Sequence, residues 1–315
     1  MSRQSGQQQS RQSRKSRQGR QQVHEPSEYT KQVQASGEPE FREIGVGPWS
    51  QEHPDEPRPD VPGTPAFDAR YDTELLDQGD RRNVLDRYRY WTVEAIKADL
   101  DARSRYPFEI AVENWTHDFN IGSAVRSANA FGASRVHIVG PHKWNRKGAL
   151  MTELYQHVDY HPSIKELAAS WRFRIAGEIA AEQARANAYD IRARIGHRPL
   201  SADEQRRETQ SAHRLETLRN AKIIALDIIP GAVPIERYRF PERCLLLFGA
   251  EGPGLSQAAL DEADDVVYIS QFGSVRSINA GAAAAVAMHS WVAQHAVIDG
   301  PGAAADSGSS AVIKA

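Results

Sequence analysis

Leu245-Leu246-Leu247-Phe248-Gly249-Ala250-Glu251-Gly252-Pro253-Gly254-Leu255-Ser256 is the stretch on which the reading of this chain turns. An unbroken apolar run enters a turn made of glycines and a proline, and a serine follows. Such a run, bounded by a turn signal, reads as a strand buried on both faces, the pattern of a parallel sheet covered by helices. Glycines after it let backbone approach a flat ligand closely and present N–H groups to it. Ser256 is placed to cap a following helix. No lysine precedes the serine, so this is not a nucleotide phosphate loop. The glycine spacing is not the dinucleotide fingerprint either. An ordinary tight turn would share most of these features, but Glu251 inside it is harder to explain that way.

Two other patches repeat the theme of strand, polar loop and helix. Upstream, the run 114–132 places Asn120 as the cap of a helix, Gly132 as the residue that ends it, and Arg126 on a different face from Ala124 and Ala128. Downstream, the run 266–286 carries Ile269, Ser270, Ser277, Ile278 and Asn279 before an alanine-rich helix. Each patch alone is satisfied by a capped helix.

The surrounding pattern is that of an α/β chain. Strands are expected at Phe108–Val112, Arg135–Val139, Lys222–Ile229, Arg243–Phe248 and Asp265–Ile269, and helices at Ile121–Phe131, Ile164–Ile175 and Gly281–Ala296. A further helix is expected over 80–102. Residues 172–219 hold ten arginines against seven acids and no long apolar run, which reads as a helical insertion projecting from the sheet. It is either a solvated charged hairpin or an RNA-facing lobe. Ser163–Glu166 and Ser201–Glu204 have the spacing of capping boxes.

The N-terminal part reads differently. Residues 1–22 contain eight Gln, five Ser and six basic residues without an acid. They cannot bury enough apolar surface to offset the entropy of ordering. They are either a solvated tail or an arm for nucleic-acid phosphates. Residues 23–70 carry ten acids, four bases and eight prolines, the composition of an extended linker. The expected organisation is a disordered tail over 1–70, a helical extension over 71–106, an α/β domain over 107–298 that carries the insertion, and a disordered C-terminal tail over 299–315.

Across 315 residues, 39 Lys and Arg face 41 Asp and Glu, a net charge of −2. This excludes a uniformly basic coat but not a local basic patch. Cys244 is the single cysteine, so a disulfide framework and a Cys-cluster zinc site are excluded, and it reads as inert core. His117 and Asp118 are adjacent but lack a third residue at metal-ligand spacing, so no metal is expected. No apolar run is long enough for a membrane span, and the N-terminal residues lack the apolar region of a secretory signal. A cytoplasmic location is expected.

Taken in order, the three patches resemble the motifs of the SPOUT methyltransferases, in particular the TrmH/SpoU branch. The first motif, N-x-G-x-x-x-R, is matched by Asn120, Gly122 and Arg126. The second, G-x-E-G-x-G, is matched by Gly249, Glu251, Gly252 and Gly254. The third, an Ile-Pro start and a Ser-Leu-Asn-Val core, is matched by Ile269, Ser277, Ile278 and Asn279. The likeness covers roughly 107–297 outside the insertion. It departs at Ser270, where the family has proline, at Ile278-Asn279-Ala280, and in carrying the insertion between the first two motifs.

The resemblance implies a parallel α/β sheet with a C-terminal trefoil knot. It implies S-adenosylmethionine as methyl donor and a ribose 2′-OH of tRNA or rRNA as acceptor. It implies Arg126, Asn120, Glu251, Ser277 and Asn279 as catalytic residues, and a cofactor cradle of Leu247, Gly249, Gly252, Ile269 and Ile278. It also implies a homodimer closed through the last helix. An RNA-binding protein that keeps the fold without turnover is the alternative.

Overall fold

The computed structural model describes residues 27–37, 44–103, 105–115, 120–195, 201–250, 252–275 and 277–296. The basic stretch 1–22 and the C-terminal tail from 299 lie outside these residues. The chain divides into two units at Ile44. In the first, helix α1 (Glu28–Ala35) is capped by the Ser27 hydroxyl, which accepts from the Thr30 amide, and it buries none of its residues.

The second unit opens with short helices α2 (Trp49–Glu52), α3 (Thr73–Gln78) and α4 (Val93–Ala102). Strand β1 (Tyr106–Glu113), helix α5 (Ile121–Ala130), strands β2 (Ala133–Val139) and β3 (Val158–His161), and helices α6 (Ile164–Ile195) and α7 (Ala202–Arg219) come next. Strands β4 (Lys222–Leu226), β5 (Val233–Pro234) and β6 (Cys244–Phe248), helix α8 (Gln257–Glu262), strand β7 (Asp265–Tyr268) and helix α9 (Ala280–His295) complete it. The seven strands form one sheet in the order β3-β2-β1-β6-β4-β7-β5, and every pairing is parallel.

Strand alternation divides the core between the two faces. Phe108, Ile110, Cys244, Leu246 and Phe248 pack with α5 and α9, where Trp291 and Met288 are fully buried. Ala111, Leu245 and Leu247 pack on the other face with α6 and α8, against Leu167, Trp171 and Ala259. Cys244 is fully buried, and burial pushes its thiol up. The apolar strands are therefore covered on both sides, as their composition requires.

The edge strands β3 and β5 were not expected. Val158-Asp159-Tyr160-His161 is mixed in polarity and half exposed, so it lacks the apolar signature of the central strands. β5 is two residues long.

Three boundaries differ from expectation. Residues 44–70 are folded rather than an extended linker. Trp49 packs with Leu76 and Tyr90, Val46 and Asp80 exchange backbone hydrogen bonds of 2.9 and 3.0 Å, and Arg58 pairs with Asp60 and Asp77. Prolines rule out long helices but not packing around one aromatic anchor. The expected helix over 80–102 exists only as α4. The fully buried Asp80 carboxylate accepts from Arg82 and from the Tyr90 amide, and Tyr90 sits at φ +62°, so the chain loops before Thr92 caps α4.

The insertion also differs in part. It is helical, but α6 runs unbroken from the sheet-packing segment to Ile195, and α7 pairs with it. Its first turns do not project. Arg174 reaches the buried Glu109 of β1 at 2.7 Å, and Glu178 meets Arg243 at 3.2 Å. The capping box at Ser201 and Glu204 forms completely. At Ser163 the hydroxyl accepts from the Glu166 amide at 3.2 Å.

Candidate active site

The carboxyl ends of β4, β6 and β7 open into a cavity of about 500 Å³. Crevices at this end of a parallel sheet are where open α/β folds bind ligands. Leu226, Phe248, Ile269 and Ile278 supply apolar wall, and Gly249, Gly252 and Gly254 supply backbone. The volume falls within the roughly 300–1,000 Å³ typical of small-molecule sites.

The glycine turn is shaped by what it excludes. Ala250 and Gly254 exchange backbone hydrogen bonds of 3.1 Å each, folding the loop back on itself. A Cβ on Gly249 would stand 2.1 Å from the carbonyl carbon of Gly254, so no side chain fits there. Gly254, at φ +76°, faces the Asp227 carboxylate. That carboxylate accepts from the amides of Leu255 at 3.2 Å and Ile228 at 2.7 Å. Asp227 lines the cavity and went unrecognised in the sequence because the apolar run 222–229 reads as one strand. In the structure the strand stops at Leu226, and Asp227 begins the loop.

The far end of the turn is held by a second residue that the motifs do not include. Glu113, at the end of β1 and 1% exposed, accepts from the Ser256 amide and hydroxyl at 2.7 Å each, and from Trp115 Nε1 at 2.7 Å. Ser256 in turn caps α8 by accepting from the Ala259 amide. Ser270, in the place of the family's proline, donates to the Glu236 carboxylate at 2.8 Å and so ties down the third loop by another means.

The expected site residues separate into groups. Gly249, Gly252, Ile269, Ile278, Ser277 and Asn279 all line the cavity. Leu247 does not: its side chain is buried among the residues of the α6 face, because the strand alternates and Phe248 takes the cavity side. Asn279 caps α9 by accepting from the Ala282 amide, and its Nδ2 donates to Asn120 Oδ1 at 2.7 Å. Asn120 occupies the cap position of α5, but its side chain makes no capping bond there; it is turned to Asn279 instead. Gly132, at φ +69°, follows the end of α5 as expected. Arg126 is exposed on α5 and does not line the cavity. Glu251, His117 and Asp118 lie outside the described residues. Among the described residues no cluster of three His, Cys, Asp or Glu side chains is arranged to hold a metal ion.

Helix α5 approaches α9 through small residues. A Cβ on Gly281 would meet the Ser123 Cβ at 2.9 Å. This contact brings the first and third motifs together, which chain order alone does not.

Comparison with known proteins bears out the SpoU/TrmH resemblance in the C-terminal part. Residues 191–289 match the model of the SpoU rRNA Methylase family. The match includes the second and third motifs; the first lies before it. Over 74 residues the chain is 36% identical to the tRNA (guanosine(18)-2′-O)-methyltransferase of Saccharomyces cerevisiae, covering 23% of this chain and 5% of that one. Over 68 residues it is 31% identical to the 23S rRNA (guanosine-2′-O-)-methyltransferase RlmB of Acinetobacter baylyi, covering 22% and 27% respectively. The chain thus spans a small part of either relative's length. The solved structure of the SpoU methyltransferase AviRb from Streptomyces viridochromogenes, in complex with AdoMet, aligns over 61% of this chain and 62% of its own, at 22% identity and a TM-score of 0.42. The TrmH/SpoU tRNA modifying enzyme of A. aeolicus aligns over 64% and 81%, at 14% identity and a TM-score of 0.41.

Proposed function

We propose that this chain is an S-adenosylmethionine-dependent RNA methyltransferase acting on a ribose 2′-OH of tRNA or rRNA. The observation that carries this reading is the cavity at the carboxyl ends of β4, β6 and β7. It is walled by the glycine turn and by Ser277–Asn279, both inside the family-matched segment. The names of the sequence relatives, both guanosine 2′-O-methyltransferases, agree with it.

The residues present fit the donor. Apolar walls at Leu226, Phe248, Ile269 and Ile278 suit a flat purine, and the glycine turn offers backbone edges without side chains in the way. When bound, the donor supplies an electrophilic sulfonium methyl. The chain's own residues supply alignment, which can lower such a barrier by up to roughly 7–11 kcal/mol.

Asn279 and Asn120, joined at 2.7 Å, form a polar edge where the cavity meets α5. In this reading they orient the acceptor ribose. Arg126 lies six residues along α5 from Asn120, roughly 9 Å of helix rise. Its guanidinium carries donors and no acceptor, which suits it to hold the neighbouring phosphate and offset charge on the attacking oxygen. Ser277 lines the cavity beside Asn279, and the motif resemblance assigns it and Glu251 to the same catalytic set.

The trefoil knot, the homodimer closed through α9 and the cytoplasmic location belong to the same proposal. The insertion of β6 between β1 and β4, and the packing of α9 back onto α5, agree with a knotted chain end. No helix among the described residues is long and apolar enough to cross a membrane.

The test is transfer of a labelled methyl group from S-adenosylmethionine to total tRNA and total rRNA in parallel, followed by mapping of the product to 2′-O. Transfer to one pool is expected. RNA binding without transfer to either would favour the turnover-free alternative.

A further inference from the structure

The loop after β2 has features that the cavity does not account for. Leu150 and Met151 are consecutive non-glycine residues in the left-handed region, at φ +48° and +68°. That region is costly for residues with a Cβ and persists only where surroundings enforce it. The side chains are nevertheless held outward, 61% and 50% exposed.

The loop beneath them is anchored. Ala149 is fully buried, Trp144 is buried and donates to the Tyr160 hydroxyl at 3.1 Å, and Thr152 Oγ1 donates to the Ala149 carbonyl at 2.7 Å. The anchoring reaches the candidate site. Gly122, two residues after Asn120, packs so closely that a Cβ on it would lie 2.8 Å from the Ala149 amide nitrogen. A strained, apolar, exposed pair is thus fixed to the same helix start that carries Asn120.

Charge indicates what meets it. Lys143, Arg146 and Lys147 are exposed in this loop, and Arg126 is exposed on α5. Among the described residues none of the four pairs with a carboxylate. A second copy docked with the two-fold axis through this patch would set it against itself and bring like charges together. A nucleic-acid strand offers the opposite charge, and an unstacked base offers a flat apolar face.

We infer that the 143–151 loop positions the RNA substrate: Lys143, Arg146 and Lys147 hold backbone phosphates, and Leu150 and Met151 pack against an unstacked base next to the target ribose. The inference rests on the reading of the chain as an RNA methyltransferase and names the surface that would select the single-stranded or looped segment.

The experiment uses the full chain and two double variants. In L150G/M151G, glycine adopts the left-handed region freely, so thermal stability is expected to hold or rise. Affinity for total tRNA or rRNA should fall by about tenfold or more, a loss of roughly 1.4 kcal/mol. In R146E/K147E the slope of log affinity against log salt should flatten by about 1.4, the value for two phosphate contacts on a single strand. S-adenosylmethionine binding by calorimetry should stay unchanged in both. RNA affinity and salt slope equal to wild type would overturn the inference. So would L150G/M151G losing self-association by light scattering while keeping RNA affinity, since the patch would then join two copies. Loop variants that bind RNA poorly, in a protein whose wild type transfers no methyl group, would reject the enzyme reading and keep the loop as an RNA contact.

Discussion

Glu113 and Ser256, 143 positions apart in the chain, are joined by two hydrogen bonds of 2.7 Å, one from the serine amide and one from its hydroxyl. The carboxylate closes β1 against the end of the glycine turn. Glu113→Gln keeps the size but places an amide NH₂ among groups that all donate. At least one buried donor then loses its acceptor, at a cost of about 1–3 kcal/mol. The expected result is a lower thermal midpoint together with weaker S-adenosylmethionine binding. An unchanged midpoint in a melting experiment would show that the turn does not depend on this carboxylate.

Gly249→Ala should damage ligand binding more than it damages the sheet. The added carbon would overlap the Gly254 carbonyl at 2.1 Å, so the fold-back of the turn cannot form as it stands. Titration calorimetry should show cofactor affinity reduced by at least about tenfold, or about 1.4 kcal/mol, with far-ultraviolet circular dichroism near that of wild type.

Asn279 has two jobs that one substitution separates. Asn279→Ser retains a residue that caps α9, where serine and asparagine are about equal, but serine is too short to reach Asn120. Stability should stay within about 0.5 kcal/mol of wild type, as for other substitutions that preserve local packing, while methyl transfer falls. Equal transfer rates would remove the Asn120–Asn279 pair from the site.

Arg126→Ala should reduce methyl transfer by about 10²-fold or more, the scale of losing one charge-stabilising donor. Cofactor affinity should be almost unchanged, because Arg126 is not part of the cavity wall. An equal loss of cofactor binding in calorimetry would contradict this division of labour.

Acid should lower the stability of the sheet domain over two pH ranges. His161 titrates below its ordinary 6.5, chiefly because burial disfavours the cation and secondarily because His137 lies beside it. The unfolded chain then takes up this proton first, so stability begins to fall as pH drops through 6.5. Burial opposes ionisation of Glu109, but the His137 hydrogen bond and the Arg243 and Arg174 guanidinium groups outweigh it and hold the carboxyl at about 2, against an ordinary 4.5. The stability from this group is complete above 4.5 and is lost between 4.5 and about 2. Urea midpoints measured across this range should show both declines, and His161→Gln should abolish only the upper one.

The central architecture was legible because its physical signal is local. β1, β2, β4, β6 and β7 are each covered on two faces, so their apolar runs stand out in the chain, and the capping residues Ser201, Ser256 and Asn279 mark helix starts by their own hydrogen bonds. The glycine turn stood out for the same reason, whereas the Ser277–Asn279 stretch was marked only by its likeness to the third motif. Segment 44–70 was not, since its order comes from Trp49 meeting Leu76 and Tyr90 from further along the chain, a contact that composition does not encode. Leu247 was placed in the cavity because motif matching does not say which face of the strand a residue takes; alternation gave that face to Phe248.

The sequence by itself determined the central strands, the helices that flank them and the glycine-rich turn, since these follow from neighbour-to-neighbour preferences, while its likeness to known motifs singled out the polar residues for chemistry. Only the tertiary structure decided which of them meet. Asn120 reaches Asn279 across 159 positions because Gly281 lets α9 close onto Ser123 of α5. Glu113 and Asp227, which no motif marks, hold the glycine turn because parallel pairing brings the ends of β1, β6 and β4 side by side. Such contacts are fixed by sheet order and close packing, properties of the whole fold that no single stretch of chain carries.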